Sequence, residues 1–295
     1  MFDLVFIFFS NKTLILFFLA FLPGLAHFLA EPCRWFIYTK KISGNSFKKY
    51  FYIFSFTALA SYLLPFKLGL PFRIFLLQKM ENLTAGLVMA ILAVDGLIYY
   101  AGWGIAALLG IIYGASAYLS SQKFGVIFGL LIICAIILPL FFYKISEYFP
   151  DKISSKLGNI KQTLSVVRNL SISQYIFNFL IVISDIFSQI FRHYVIFMFL
   201  GAFISLTHVA IIVCISIFAG IISMMPMGLV GYDATLILLS QKFGVSLEQA
   251  LLIPLINRFI SLSLSTILGI WGGLKLGYNP FKGIKKISSM LTSSQ

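Results

Sequence analysis

The chain is 295 residues long, 60% hydrophobic and only 11% charged, with a mean hydropathy of +1.00 and a net charge of +13. A soluble domain carries roughly 45–50% apolar and about 25% charged residues, so the composition excludes one and predicts an all-α polytopic transmembrane helix bundle. Basic loops flanking membrane spans supply much of the net charge, and no nucleic acid is needed to explain it.

A helix that crosses the hydrocarbon needs about 20 mostly apolar residues. In chain order the candidates are 13–35, 50–66, 83–106, 124–143, 173–200, 205–225 and 249–272, about seven spans. Residues 1–10 are too short to cross. They lack a basic region or a small-x-small cleavage pattern, so the start reads as retained and not as a signal peptide. Residues 104–119 read as the end of the third span followed by the Gly/Ser-rich turn YGASAYLSSQ. No linker longer than a short loop interrupts the pattern, which predicts a single integral membrane domain over 1–295. Cys33, Cys134 and Cys214 lie in apolar surroundings without CxxC spacing and read as packing residues, so neither metal nor cofactor is expected.

Orientation follows the basic residues near span ends. The segment after the first span carries Arg34, Lys40, Lys41, Lys48 and Lys49, and the tail carries Lys275, Lys282, Lys285 and Lys286. Both are predicted to be cytoplasmic in a multi-pass protein of the cell membrane. Residues 144–170 disagree, with five basic side chains against Glu147 and Asp151 on what seven spans make the outer side. Within them Ile153, Leu157, Ile160, Leu164 and Val167 share one helical face, flanked by Lys152, Lys156, Lys161 and Arg168. Residues 152–168 therefore read either as a basic amphipathic helix on the membrane surface or as an ordinary loop helix.

Two stretches break the apolar pattern at membrane depth. Residues 223–244, SMMPMGLVGYDATLILLSQKFG, place Pro226, Gly228, Gly231 and Asp233 between apolar runs. Residues 61–87 place Pro65, Lys67, Gly69, Pro71 and Arg73 in a similar setting. Broken helix is tolerated there only where protein or a watery cavity covers the freed backbone groups. Residues 64–80 and 226–243 are thus re-entrant candidates. LLQKM at 76–80 echoes LLSQKF at 238–243, each is followed by a helix-start signal, and the next span in each half carries a lone charge, Asp95 or Arg258. Interrupted segments at corresponding positions point to an inverted repeat with a transport site between its halves.

These residues resemble the lysylphosphatidylglycerol-synthase transmembrane-region family of flippase-like membrane proteins. The resemblance runs from about residue 30 to 272. It is carried by RWFIY, by LLPFKLGLPFR, by Asp95, and by MPMGLVGYDA with FGVSLEQAL and NRF. Leu70 stands where the family usually has an acid, the Glu-Arg before Asp95 is absent, Asp233 replaces Glu and Met227 replaces Gly. The resemblance implies handling of membrane phospholipid or polyprenyl-linked lipid, without a synthase activity.

A lipid translocator needs a polar path for the head group, and cations in the spans can neutralise a phosphate. The substrate-binding candidates are Arg34, Lys67, Gly69, Arg73, Asp95, Pro226, Gly228, Gly231, Asp233 and Arg258. Asp95 and Asp233 serve as partners for the cations when the site is empty. Arg34 also reads as a basic anchor after the first span, Lys67 and Arg73 as side chains reaching the interface, and Arg258 as a structural partner of Asp95. Asp185, Gln189 and Arg192 share one face of the fifth span and predict either a stripe toward a cavity or an internal ion pair. His27 and His208 read as isolated. No metal-binding helix motif, catalytic acid pair or phosphate-cradling loop is found, so enzyme activity is not expected. The expected function is translocation of a lipid or lipid-linked anionic group. The alternative is a non-catalytic scaffold for a lipid- or glycan-modifying enzyme.

Overall fold

The computed structural model describes residues 11–43, 46–63, 69–81, 83–116, 171–223 and 230–278. The expectations for 1–10, 124–143 and 152–168, and for Lys67, Pro226, Gly228 and most of the tail, lie outside these residues. Every regular element among them is helical: α1 (Asn11–Ser43), α2 (Phe47–Leu63), α3 (Gly69–Glu81), α4 (Ala85–Ser116), α5 (Ile172–Phe199), α6 (Leu206–Ile222), α7 (Gly231–Lys242) and α8 (Leu247–Lys275).

Ile15–Lys40, Gly86–Ile112, Ile172–Phe199 and Leu247–Lys275 are long and apolar enough to cross a membrane. With the outward-facing Phe18, Leu22, Leu97, Phe187, Leu255 and Phe259, they make a polytopic helical bundle. Two boundaries differ from the sequence reading. Residues 34–43 continue α1 instead of opening a loop, and α4 runs unbroken past residue 106 to Ser116. At about 1.5 Å per residue, α3 and α7 are roughly 20 and 18 Å long, short of the ~30 Å hydrocarbon.

The halves of the chain repeat, with α1 to α4 matching α5 to α8. A Cβ on Gly69 would fall 1.8 Å from Ser61 Oγ and 2.7 Å from the Thr57 carbonyl. One on Gly231 would fall 2.6 Å from the Ala219 carbonyl and 2.8 Å from Ser223 Oγ. One offset, 162 positions (69 to 231), relates all three pairs, taking 57 to 219 and 61 to 223. It also takes the cap at Thr84, which accepts from Leu87 N, onto that at Ser246, which accepts from Gln249 N, both at 3.3 Å. In each half, then, a glycine lets the short helix fold back against the backbone of the helix before it, and a hydroxyl cap starts the next long helix.

The packing obeys the same exchange. α2 lies on α8 as α6 lies on α4, α1 on α2 as α5 on α6, α3 on α4 as α7 on α8, and α1 on α8 as α5 on α4. α1 and α5 pack most extensively and are each other's counterpart. They run antiparallel: Phe17 meets Phe199, Ser188 reaches the Pro23 carbonyl, His27 meets Asp185, and Gln174 reaches the Ile37 carbonyl. Equivalent helices that run in opposite directions make the repeat an inverted one. Between lipid-soluble helices close packing of small residues replaces the hydrophobic drive. Gly269 and Gly272 serve that role on α8, where their Cβ positions meet Leu59 and the Tyr52 carbonyl of α2.

Candidate functional site

Several polar systems sit inside the bundle, and two of them border a cavity. A cavity of about 410 Å³ is lined by Glu31 of α1, Ser61 and Tyr62 of α2, Leu70 and Arg73 of α3, Tyr232 of α7, and Asn257, Arg258 and Ser261 of α8. Both halves of the repeat therefore contribute to its wall. The close approach at Gly69 places Leu70 and Arg73 there in the first turns of α3, and the one at Gly231 places Tyr232 at the start of α7.

The charges at the cavity are paired across helices. Arg73 donates through a terminal nitrogen to Glu31 Oε1 and through Nε to Thr57 Oγ1 at 3.0 Å. Its guanidinium also lies 4.2 Å from the Phe54 ring centre, within cation–π range. Arg258 donates to both oxygens of Asp233, at 3.0 and 2.8 Å. The side chains of Glu31, Arg258 and Asp233 are 40%, 24% and 21% exposed, so each pair has at least one partner that is not closed off.

Beside the cavity runs a hydrogen-bonded relay through His193, Tyr232 and Asn257, whose proton positions follow from chemistry. His193 Nδ1 lies 2.7 Å from the Gln189 carbonyl, which can only accept, so Nδ1 carries the proton. Nε2 of the neutral ring then accepts the Tyr232 hydroxyl at 2.6 Å. The same Tyr232 oxygen accepts from Asn257 Nδ2 at 3.1 Å. Arg192, 4% exposed, donates to Gln189 Oε1 at 2.7 Å and to Ser261 Oγ at 3.3 Å.

The third system is closed. Arg34 donates to both oxygens of Asp95, at 2.7 and 3.2 Å, and lies 5.0 Å from the Tyr99 ring. Its side chain is 4% exposed, so it is a helix-to-helix tie and not a surface anchor. The Arg258–Asp95 pair, the alternative reading of Arg258, does not form, because Asp95 is held by Arg34 and Arg258 by Asp233. His27 is not isolated either: its Nδ1 lies 2.6 Å from Asp185 Oδ1, joining α1 to α5. His208 stacks on Phe243, with ring centres 4.5 Å apart.

Of the candidate residues, Arg73 and Arg258 line the cavity, and Asp233 is joined to it through Arg258. Gly69 and Gly231 shape it by packing. Arg34 and Asp95 hold each other and are not among its lining residues. Sequence reasoning missed Glu31, Ser61, Tyr62, Tyr232, Asn257 and Ser261. Asn257 had an available signal, since it lies 162 positions from Asp95 at the same place in the repeat. Among the described residues no group of three or more His, Cys, Asp or Glu side chains could hold a metal.

No curated protein and no solved structure matches the chain. The family described as the lysylphosphatidylglycerol synthase TM region matches residues 7–269, nearly the whole length. The chain therefore belongs to the lysylphosphatidylglycerol synthase transmembrane-region family, a multi-pass membrane family of lipid-related function.

Proposed function

We propose that the protein translocates a lipid, or a lipid-linked anionic group, across the cell membrane. The observation that supports this reading is the cavity between the repeats, where two arginines are each neutralised by a carboxylate from a neighbouring helix. A phosphate offers a guanidinium the same paired acceptors as a carboxylate. A head group entering the cavity competes with Glu31 for Arg73 and with Asp233 for Arg258. Either exchange frees a short helix, α3 from α1 or α7 from α8. Two short broken helices in an inverted repeat are the parts that alternating access needs. In this reading α3 and α7 are re-entrant and the C-terminus is cytoplasmic. No bond is made or broken, and the partners are membrane phospholipid or polyprenyl-linked lipid.

The test is transbilayer movement of labelled phosphatidylglycerol, phosphatidylcholine and polyprenyl phosphate in proteoliposomes. Movement above empty vesicles is expected for an anionic lipid, with a loss of at least tenfold in Arg258→Ala. Folded protein that moves none of the three overturns the reading and transfers weight to a scaffold for a lipid- or glycan-modifying enzyme.

A further inference from the structure

His27 of α1 and Asp185 of α5 meet on the seam between the two helices that are each other's counterpart in the repeat. A contact of 2.6 Å between a ring nitrogen and a carboxylate oxygen holds one proton between them. With that proton alone the pair carries one negative charge, and His27 Nε2 is an acceptor. A second proton, on Nε2, makes the pair neutral. Among the described residues no other side chain bonds to the Asp185 carboxylate, and its Oδ2 is closed off without a partner. The Asp185 side chain is 1% exposed and that of His27 is 37% exposed, so the ring is the open end of the pair. Glu31, one turn along the same face of α1, lines the cavity. Ionisable groups at membrane depth are costly, and carrying protons is one of the roles that retain them.

The charges around the pair single out His27 as the place for an added proton. Arg34, Arg73 and Arg258 are matched by Asp95, Glu31 and Asp233. Arg192, two turns from Asp185 on α5 and within its electrostatic reach, balances that fourth carboxylate at a distance. Among the described residues of the cavity and the seam, cations and anions therefore cancel while His27 is neutral. His193, the other histidine on this side, has both ring nitrogens engaged. Tyr62 of α2 is within reach of Arg192 and Tyr99 of α4 within reach of Asp185, and a phenol adds no charge near neutral pH. A head group with one negative charge, entering the cavity, leaves this set one charge out of balance. A proton on His27 Nε2 restores the balance, on the helix pair that joins the two halves of the repeat.

We propose that His27 and Asp185 form a proton-binding site, and that one proton taken up on His27 Nε2 accompanies each singly charged head group across the membrane. The proposal rests on the translocation reading and adds the coupling ion. The proton comes from the water on the side where the head group enters and returns to the water on the side where it leaves. No bond between heavy atoms changes. The empty and loaded forms carry the same net charge, so movement follows the pH gradient and ignores the membrane potential.

The experiment follows trace labelled phosphatidylglycerol in proteoliposomes, either under an imposed pH gradient or under a potassium diffusion potential at equal pH. Wild type is expected to concentrate the label about tenfold per pH unit in the leaflet on the alkaline side, the ratio that one proton per lipid sets. The potential alone is expected to leave the label evenly divided. His27→Gln keeps a donor toward Asp185 but cannot take a second proton, and it is expected to divide the label evenly under either condition. A wild type that moves the label but divides it evenly under the pH gradient, or follows the potential instead, overturns proton coupling and leaves translocation standing. A folded His27→Gln variant that still concentrates the label overturns the site. Phosphatidylglycerol that does not move in wild type overturns translocation and coupling together. Where His27→Gln fails to fold or moves no lipid, nitrogen NMR of the wild-type histidine rings at fixed pH decides. His27 is expected to gain a proton when phosphatidylglycerol is added, and an unchanged ring overturns the site.

Discussion

Arg34 of α1 and Asp95 of α4 form a two-point ion pair inside the bundle, with side chains 4% and 8% exposed. Neither is among the residues that line the cavity, and the pair ties two helices together. Removing one partner leaves a buried charge with nothing to answer it, which costs about 3–5 kcal/mol. Asp95→Ala is therefore expected to lower the melting temperature in detergent sharply or to abolish folded yield. Replacing both together, as Arg34→Met with Asp95→Leu, is expected to recover most of that loss. A double-mutant cycle on thermal melts checks this, and a double variant no better than the singles would refute it.

The two hairpins depend on absent side chains. At Gly69 and at Gly231 a methyl group would collide with the carbonyl of the residue twelve positions earlier, Thr57 or Ala219. Backbone cannot swing aside as a side chain does, so each short helix must move away from its partner. Overpacking of this kind costs about 1–3 kcal/mol. Gly69→Ala and Gly231→Ala are each expected to lower the melting temperature by several degrees. Gly96→Ala, where the nearest atom is 3.6 Å away on Tyr100, is expected to leave it unchanged or slightly raised.

The helical class, the broken segments and the repeat were legible because each is a local property. Hydrophobic run length gives spans, Pro and Gly mark breaks, and similar breaks at similar positions suggest a repeat. The cavity was only half legible. Arg73 and Arg258 stood out as charges in apolar runs, but an isolated charge does not name its partner. Asp95 and Arg258, each the lone charge of its span, left a structural pair open as the alternative to a functional role. The fold instead gives Asp95 to Arg34, across residues that read as a loop when α1 in fact continues through them. Glu31 lies inside the first predicted span and was not among the candidate residues. Tyr232 and Ser261 are neutral and gave no signal before their neighbours were known, and Asn257 was marked only by its repeat position opposite Asp95.

Tyr232 is the residue on which the relay turns, since it donates to His193 Nε2 and accepts from Asn257 Nδ2. Tyr232→Phe keeps the ring, and also the Cβ that lies against Gly220, but withdraws both interactions. His193 is then a buried acceptor without a donor, and Asn257 has lost a bond from its amide nitrogen as well as lacking one at Oδ1. Each unsatisfied buried group costs about 1–3 kcal/mol. The single substitution is thus expected to destabilise more than the loss of one surface hydroxyl would. His193→Leu alone leaves the Tyr232 hydroxyl without an acceptor and is expected to be costly too. Combining Tyr232→Phe with His193→Leu removes donor and acceptor together, and the double variant is expected to be more stable than the sum of the two losses predicts. Thermal melts of the three variants measure the coupling. Simple additivity would mean that the His193–Tyr232 bond does not contribute to the fold.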